Sequence, residues 1–189
     1  MPLLSLLVPA AGLAVDLFTK SRSRATRSSS LARTGETRSL DAPQQDVAVL
    51  IVAEVQRAHT LRPQWPWSPR ALAIAAITNA YAESRLRPDA WNSRGEDSVG
   101  LFQVNRQGSL GAPYSRAQLR DARTNTRIIL SEVDRQAERL ATARTVGDLT
   151  AAFCMYVERP ADSARKAQDR VELARSLFGN QAVDSRSSS

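Results

Sequence analysis

Residues 83–105, ESRLRPDAWNSRGEDSVGLFQVN, decide how the chain is read. The stretch opens on Glu83 at the end of an apolar run. It crosses a loop rich in Pro, Asn, Ser and Gly that carries Glu96 and Asp97, and closes in the short apolar text VGLFQVN. The run before it, SPRALAIAAITNAYAES, has Ser68 placed as an N-cap and Pro69 at the first helical position, which predicts a helix. Leu72, Ala75, Ala76, Asn79 and Glu83 recur at helical spacing, so Glu83 ends a largely apolar helix. Pro88 bars continuation much beyond Arg87. Losing water favours the neutral form of a carboxyl group, and a neutral carboxyl can give a proton to a leaving oxygen. A glycosidase general acid has that task.

The text on either side is also helical. From about Pro43, QQDVAVLIVAEVQRAH sets Val47, Leu50, Ile51, Val55 and Ala58 on one face. RPQWPWSP is a Pro-rich connector whose Trp65 and Trp67 read as a hydrophobic lid on the core. After the loop, VGLFQVN is too short for a helix and reads as a strand or an extended turn. Ser115 starts further helical text through TRIILSEVDRQAERL, and Thr145 or Asp148 starts DLTAAFCMYV. Pro160 opens ADSARKAQDRVELARSLF, which stops at Gly179. The class is mainly α, with one short extended or β turn at the loop.

The ends differ in character. Residues 1–18 are apolar apart from Asp16 and read as an anchor or interaction segment, touching a membrane or a partner protein. Their positive charge follows the apolar run, the reverse of a secretory signal. Residues 19–42 form a basic, Ser- and Arg-rich linker, residues 43–180 the folded domain, and residues 181–189 a polar tail expected to be mobile.

At 189 residues and 42% hydrophobic, the chain can bury one sizeable core. Its net charge of +7 favours anionic partners such as nucleic acid, anionic lipid or bacterial wall polymers, without choosing among them. The arginines are spread along the chain and form no nucleic-acid reader motif, so nucleic acid is not expected as the main partner. Cys154 is the only cysteine, in the apolar text AAFCMYV, and His59 the only histidine. An internal disulfide and a multi-cysteine metal cage are therefore excluded, no cofactor or metal is expected, and carboxylates are the main acid–base resource.

The loop adds a family. Glu83-Ser84, then Pro88, Asp89 and Ala90, then Gly100, Leu101, Phe102, Gln103 and Val104 follow one another as in the lysozyme-like superfamily. The chain most resembles the soluble lytic transglycosylases and the phage virion-associated tail lysozymes. LRDARTNTRIILSEV is similar to the segment after their active-site loop, where an Asp and an Asn lead into a helix. The resemblance covers about residues 65–160 and implies a lysozyme-like helical domain. It implies that Glu83 protonates the glycosidic oxygen between N-acetylmuramic acid and N-acetylglucosamine in peptidoglycan. In a transglycosylase the same residue then acts as base on the muramyl 6-hydroxyl and leaves a 1,6-anhydro end. Gln103 and the VGLFQ backbone would floor the cleft. Ser98 stands where animal-type lysozymes carry a second acid.

The departures from the family pattern are also informative. GEDSVG is two residues longer than the usual turn, which puts Glu96 and Asp97 on an added bend near the cleft. MYVERP stands where transglycosylases carry a different late motif, and looks like the ending of phage tail lysozymes. Tyr156 would then support the intermediate or orient Glu83, while Glu158 reads as a cap or an arginine partner. Trp91, in the loop, is the aromatic placed to stack on a sugar ring. Three alternatives stay open: a two-carboxylate hydrolase using Asp97, a non-catalytic virion or wall-binding protein, and a basic nucleic-acid binder. The preferred reading is a virion-borne enzyme delivered to the bacterial wall or periplasm, with its N-terminus contacting other virion proteins.

Overall fold

The computed structural model describes residues 38–108 and 110–188. The apolar segment 1–18 and nearly all of the basic linker lie outside them. Helix α1 (Ala42–Leu61) starts at Asp41, whose carboxylate accepts the Gln44 amide hydrogen at 2.9 Å while the Gln44 side chain accepts from the Asp41 amide. This reciprocal cap satisfies two donors that the first turn leaves open. The linker therefore stops short of residue 42. Leu40 is already in the core, and the Arg38 amide donates to Ser176 O.

Helix α2 (Pro69–Ser84) is the centre of the molecule. Ser68 Oγ accepts the Ala71 amide hydrogen at 3.2 Å, as the N-cap reading requires. Every residue from Ala71 to Ala80 is buried. The helix is thus enclosed on all sides and not on a single stripe, and its alanines let neighbours approach closely. It packs against α1, α6 (Val146–Ala152) and α7 (Ser163–Phe178). Between α2 and α6 the chain forms β1 (Trp91–Asn92), β2 (Ser98–Val99) and β3 (Val104–Asn105), antiparallel in the order β1-β2-β3. Then come α3 (Arg116–Arg120), α4 (Ala122–Arg135) and α5 (Ala137–Leu140). The helical text after Ser115 breaks at Asp121, which ends α3 and caps α4. The fold is mainly helical with a small three-stranded turn.

Two elements differ from the sequence reading, and one helix end that it placed has a nearer cause than Pro88. The text DLTAAFCMYV is not one α-helix: after α6 the chain widens into a π-helical turn, Phe153–Glu158, closed by Arg159 at φ 52°. Helix α2 ends at Ser84, before Pro88 acts, because Arg85 and Leu86 both take φ 59° and swing the chain away. The tail expected to be mobile is docked instead. Asn180–Val183 is helical (α8), Ser187 is buried, and the Ser68 and Val146 amides donate to Ser187 O and Ser185 O. Backbone donors beside the starts of α2 and α6 thus hold the tail.

Trp65 and Trp67 are buried over the core, as the connector reading expects. Their ring N–H groups donate to Asp134 Oδ1 at 2.9 Å and Leu140 O at 3.2 Å. Among the described residues, no helix is long and apolar enough to cross a membrane.

Candidate active site

The end of α2, the three-stranded turn, the π-helical turn and the start of α7 enclose a cleft of about 460 Å³. The turn owes its shape to a buried amide. Asn125, on the first turns of α4, accepts the Phe102 amide hydrogen at 3.0 Å and donates to Val99 O at 3.1 Å and Leu119 O at 2.9 Å. Asp121 caps the same helix by accepting the Thr124 amide hydrogen at 2.7 Å. Gly100 sits at φ 84°, and a Cβ there would stand 2.1 Å from Leu119 O. Only glycine fits. Phe102 lies against Phe153 with ring centroids 6.2 Å apart, which ties the turn to the start of the π-helical turn.

Glu83 projects from the last turn of α2 into this cleft, its side chain 23% exposed. It does not stand alone. The guanidinium of Arg170, buried on α7, pairs with Glu83 Oε1 through Nη2 and donates from Nε to Asn79 Oδ1 at 3.2 Å. Asn79, one turn before Glu83, is anchored in turn to Ala75 O and Thr150 O. Behind them lies Glu158, at the end of the π-helical turn. Its side chain is buried, with Oε2 3.7 Å from the same Arg170 Nη2, and neither oxygen has a hydrogen-bond partner among the described residues. Burial first, and then the nearby Glu83 carboxylate, push its pKa well above the ordinary range, against the opposing pull of Arg170 and Lys166. The cleft thus holds Glu83 with a second carboxyl, Glu158, closed off from solvent behind it.

The structure divides the remaining sequence candidates. Gln103 and Ser98 line the cleft. Gln103, at φ 46°, donates from Nε2 to Gly100 O at 2.9 Å and Ala90 O at 3.3 Å, so it braces the turn it floors. Glu96 also lines the cleft and accepts from Asn92 Nδ2 at 2.8 Å. Asp97 does not line it. Its carboxylate accepts from Arg106 at 2.6 Å, Arg116 at 3.0 Å and Trp91 Nε1 at 2.9 Å, and these donors hold its pKa below the usual Asp range, Arg116 foremost. Trp91 is nearly half exposed outside the cleft lining, with the Arg116 guanidinium over its ring at 4.5 Å. Tyr156 packs on the core with Arg139 over its ring, and the π-helical turn hands the cleft to Val157 and Glu158. Tyr156 is not among the residues that line the cleft.

Arg170, Lys166 and Arg159 escaped the sequence reading. Arg170 left one signal: it falls among Ala167, Ala174 and Leu177 on the buried stripe of α7, where a charge needs a partner. Cys154 is fully buried, and burial pushes its thiol up to about 11, so it is no nucleophile at neutral pH. His59 contacts Trp67 O, away from the cleft. Among the described residues, no cluster of three or more His, Cys, Asp or Glu could hold a metal.

A family model described as phage tail lysozyme matches residues 64–180, which spans every element that builds the cleft. No curated protein and no solved structure matches the chain.

Proposed function

We propose, for a chain that belongs to the phage tail lysozyme family, that Glu83 cleaves the peptidoglycan glycan by a one-acid, lytic transglycosylase route. Peptidoglycan is the substrate class that the family brings with it. The finer chemistry rests on one observation: Glu83 alone combines a partly exposed carboxyl with a place at the end of a buried helix in the cleft. Asp97, the acid a hydrolase would call on, is occupied by two arginines and an indole outside the cleft lining.

On this route Glu83 gives its proton to the glycosidic oxygen as the bond to the muramyl C1 breaks, and the N-acetylglucosamine end leaves as an alcohol. The muramyl 6-hydroxyl then attacks C1 and its proton passes to the Glu83 carboxylate. The acid is restored and a 1,6-anhydro ring closes. Gln103 and the Gly100–Phe102 backbone floor the cleft, with Ser98 beside them. The enzyme acts from the virion on the bacterial wall, and residues 1–18 serve contact with other virion proteins or a membrane.

A second reading, a two-carboxylate hydrolase, draws its support from Glu96, which unlike Asp97 does line the cleft. Mass spectrometry of muropeptides from digested sacculi separates the two. Anhydromuramic ends, together with a loss of ~100-fold or more in Glu83→Gln, are the expected result. Reducing muramic ends and a dead Glu96→Gln enzyme would establish the hydrolase.

A further inference from the structure

Glu158 is the one buried side chain whose polar atoms find no hydrogen-bond partner among the described residues. Such groups are rare because burying an unsatisfied carboxyl is unfavourable. Its surroundings are specific. Glu83 from α2 and Arg170 and Lys166 from α7 face it, Cys154 lies on its own turn, and the adjacent Arg159 turns to Glu132 on α4. A single nitrogen, Arg170 Nη2, is hydrogen-bonded to the Glu83 carboxyl and stands 3.7 Å from that of Glu158. The oxygens of Glu158 are closed to solvent, so in this arrangement they are also closed to a sugar.

We propose that Glu158 is a positioning residue for Glu83: bridged to it by the Arg170 guanidinium, it shares the site's one proton with Glu83 and keeps Glu83 supplied at neutral pH. This rests on the reading of Glu83 as the general acid. An arginine beside a lone catalytic carboxyl works against donation, because it favours the ionised form. A second carboxyl on the same arginine changes the balance. Two carboxylates sharing one cation cannot both ionise cheaply, so the pair keeps one proton over a wide range of pH.

In the resting site that proton sits on Glu158 and Arg170 pairs with Glu83. When the two carboxyls move into hydrogen-bond contact and the proton passes from Glu158 to Glu83, the charge of the pair is unchanged and Arg170 shifts its ion pair to the newly ionised Glu158. Glu83 then gives the proton to the glycosidic oxygen, leaving both carboxyls ionised around Arg170. The proton taken from the muramyl 6-hydroxyl restores the start. No other proton source is needed.

The test compares the pH profiles of wall lysis for the wild-type protein, Glu158→Gln and Glu83→Gln, with thermal melts on each. Glutamine copies the size and neutrality of Glu158 but cannot give up a proton. Glu158→Gln should melt within a few degrees of wild type. Its activity should match wild type at acid pH, lose its alkaline limb about one pH unit or more earlier, and fall ~10-fold or more at pH 7. A role in packing alone would leave the profile where it was, and that result overturns the proposal. The two readings fail separately. Lysis by Glu83→Gln removes Glu83 as the acid, whereas a dead Glu83→Gln beside an unshifted Glu158→Gln removes only the shared proton. Should Glu158→Gln not fold, carboxyl-13C NMR of glutamate-labelled wild type decides. Two glutamates whose signals respond together in two steps support the shared proton, and a glutamate that titrates alone, however high, overturns it.

Discussion

Asn125 and Gly100 meet more closely than any side chain would allow: a Cβ on the glycine would stand 2.3 Å from the Asn125 amide nitrogen. That contact couples the first turns of α4 to the turn that floors the cleft. It explains why a loop glycine and a helix asparagine 25 residues later belong to one device. Asn125→Ala would strand Val99 O, Leu119 O and the Phe102 amide inside the protein. We expect a stability loss of about 3 kcal/mol, given a net cost of roughly 1–3 kcal/mol for each stranded group and partial relaxation. Urea unfolding measures it. A loss under about 1 kcal/mol would show that water replaces the amide.

The Asp97 cluster predicts a pH effect on stability and a small effect on catalysis. Its folded pKa is depressed by Arg116, Trp91 and Arg106. The stabilisation is therefore fully present above the unfolded value of about 3.9 and is lost as pH falls through the lower folded value. Asp97→Asn should flatten the acid side of a melting-temperature profile below about pH 4. Activity should drop less than ~10-fold, short of the effect of removing a general acid or base. A dead variant would place Asp97 in the chemistry.

Glu54 joins α1 to α4. It is only 2% exposed, its carboxylate pairs with Arg123, and it accepts from Arg127 Nε at 2.7 Å. The arginines are about half exposed and regain water when the acid is removed, so the penalty falls short of that for stranding a buried charge. Glu54→Gln should cost about 2 kcal/mol in urea unfolding, with wall lysis by the folded fraction unchanged, because neither Glu54 nor its arginine partners line the cleft.

How much the sequence disclosed follows from the range of the forces involved. Caps and periodicity are local, and Ser68, Pro69, Ser115 and Thr145 marked helix starts that the structure keeps. The loop carrying Gly100 and Gln103 is also read within a few residues, and Glu83 with it. The Glu83–Arg170 pair spans 87 positions, and nothing near either residue names the other. The π-helical turn was equally hidden, because Phe153–Glu158 keeps an apolar pattern compatible with an ordinary helix. That turn decides which of Tyr156 and Glu158 reaches the cleft. The tail failed for the opposite reason: its polar text hid backbone pairing, which does not depend on side-chain type.

The last prediction concerns where the folded unit begins. Reading the helix from Pro43 puts the boundary one residue inside α1 and discards its cap. Asp41 and Gln44 form a reciprocal cap, Leu40 is 8% exposed against the core, and the Arg38 amide donates to Ser176 O at 3.0 Å. A chain shortened to start at Arg38 should keep the stability of the full-length protein and lyse walls. One starting at Pro43 should lose about 2–3 kcal/mol: about 1 kcal/mol for the cap and roughly 1.5 for the buried leucine. Both should keep the catalytic profile of the full chain wherever they are folded, since the cleft is lined from Glu83 onward. Urea unfolding and a lysis assay on the two shortened proteins give the answer. Equal stability would return residues 38–42 to the linker, and a folded but inactive Arg38 form would make residues 1–37 part of the active unit.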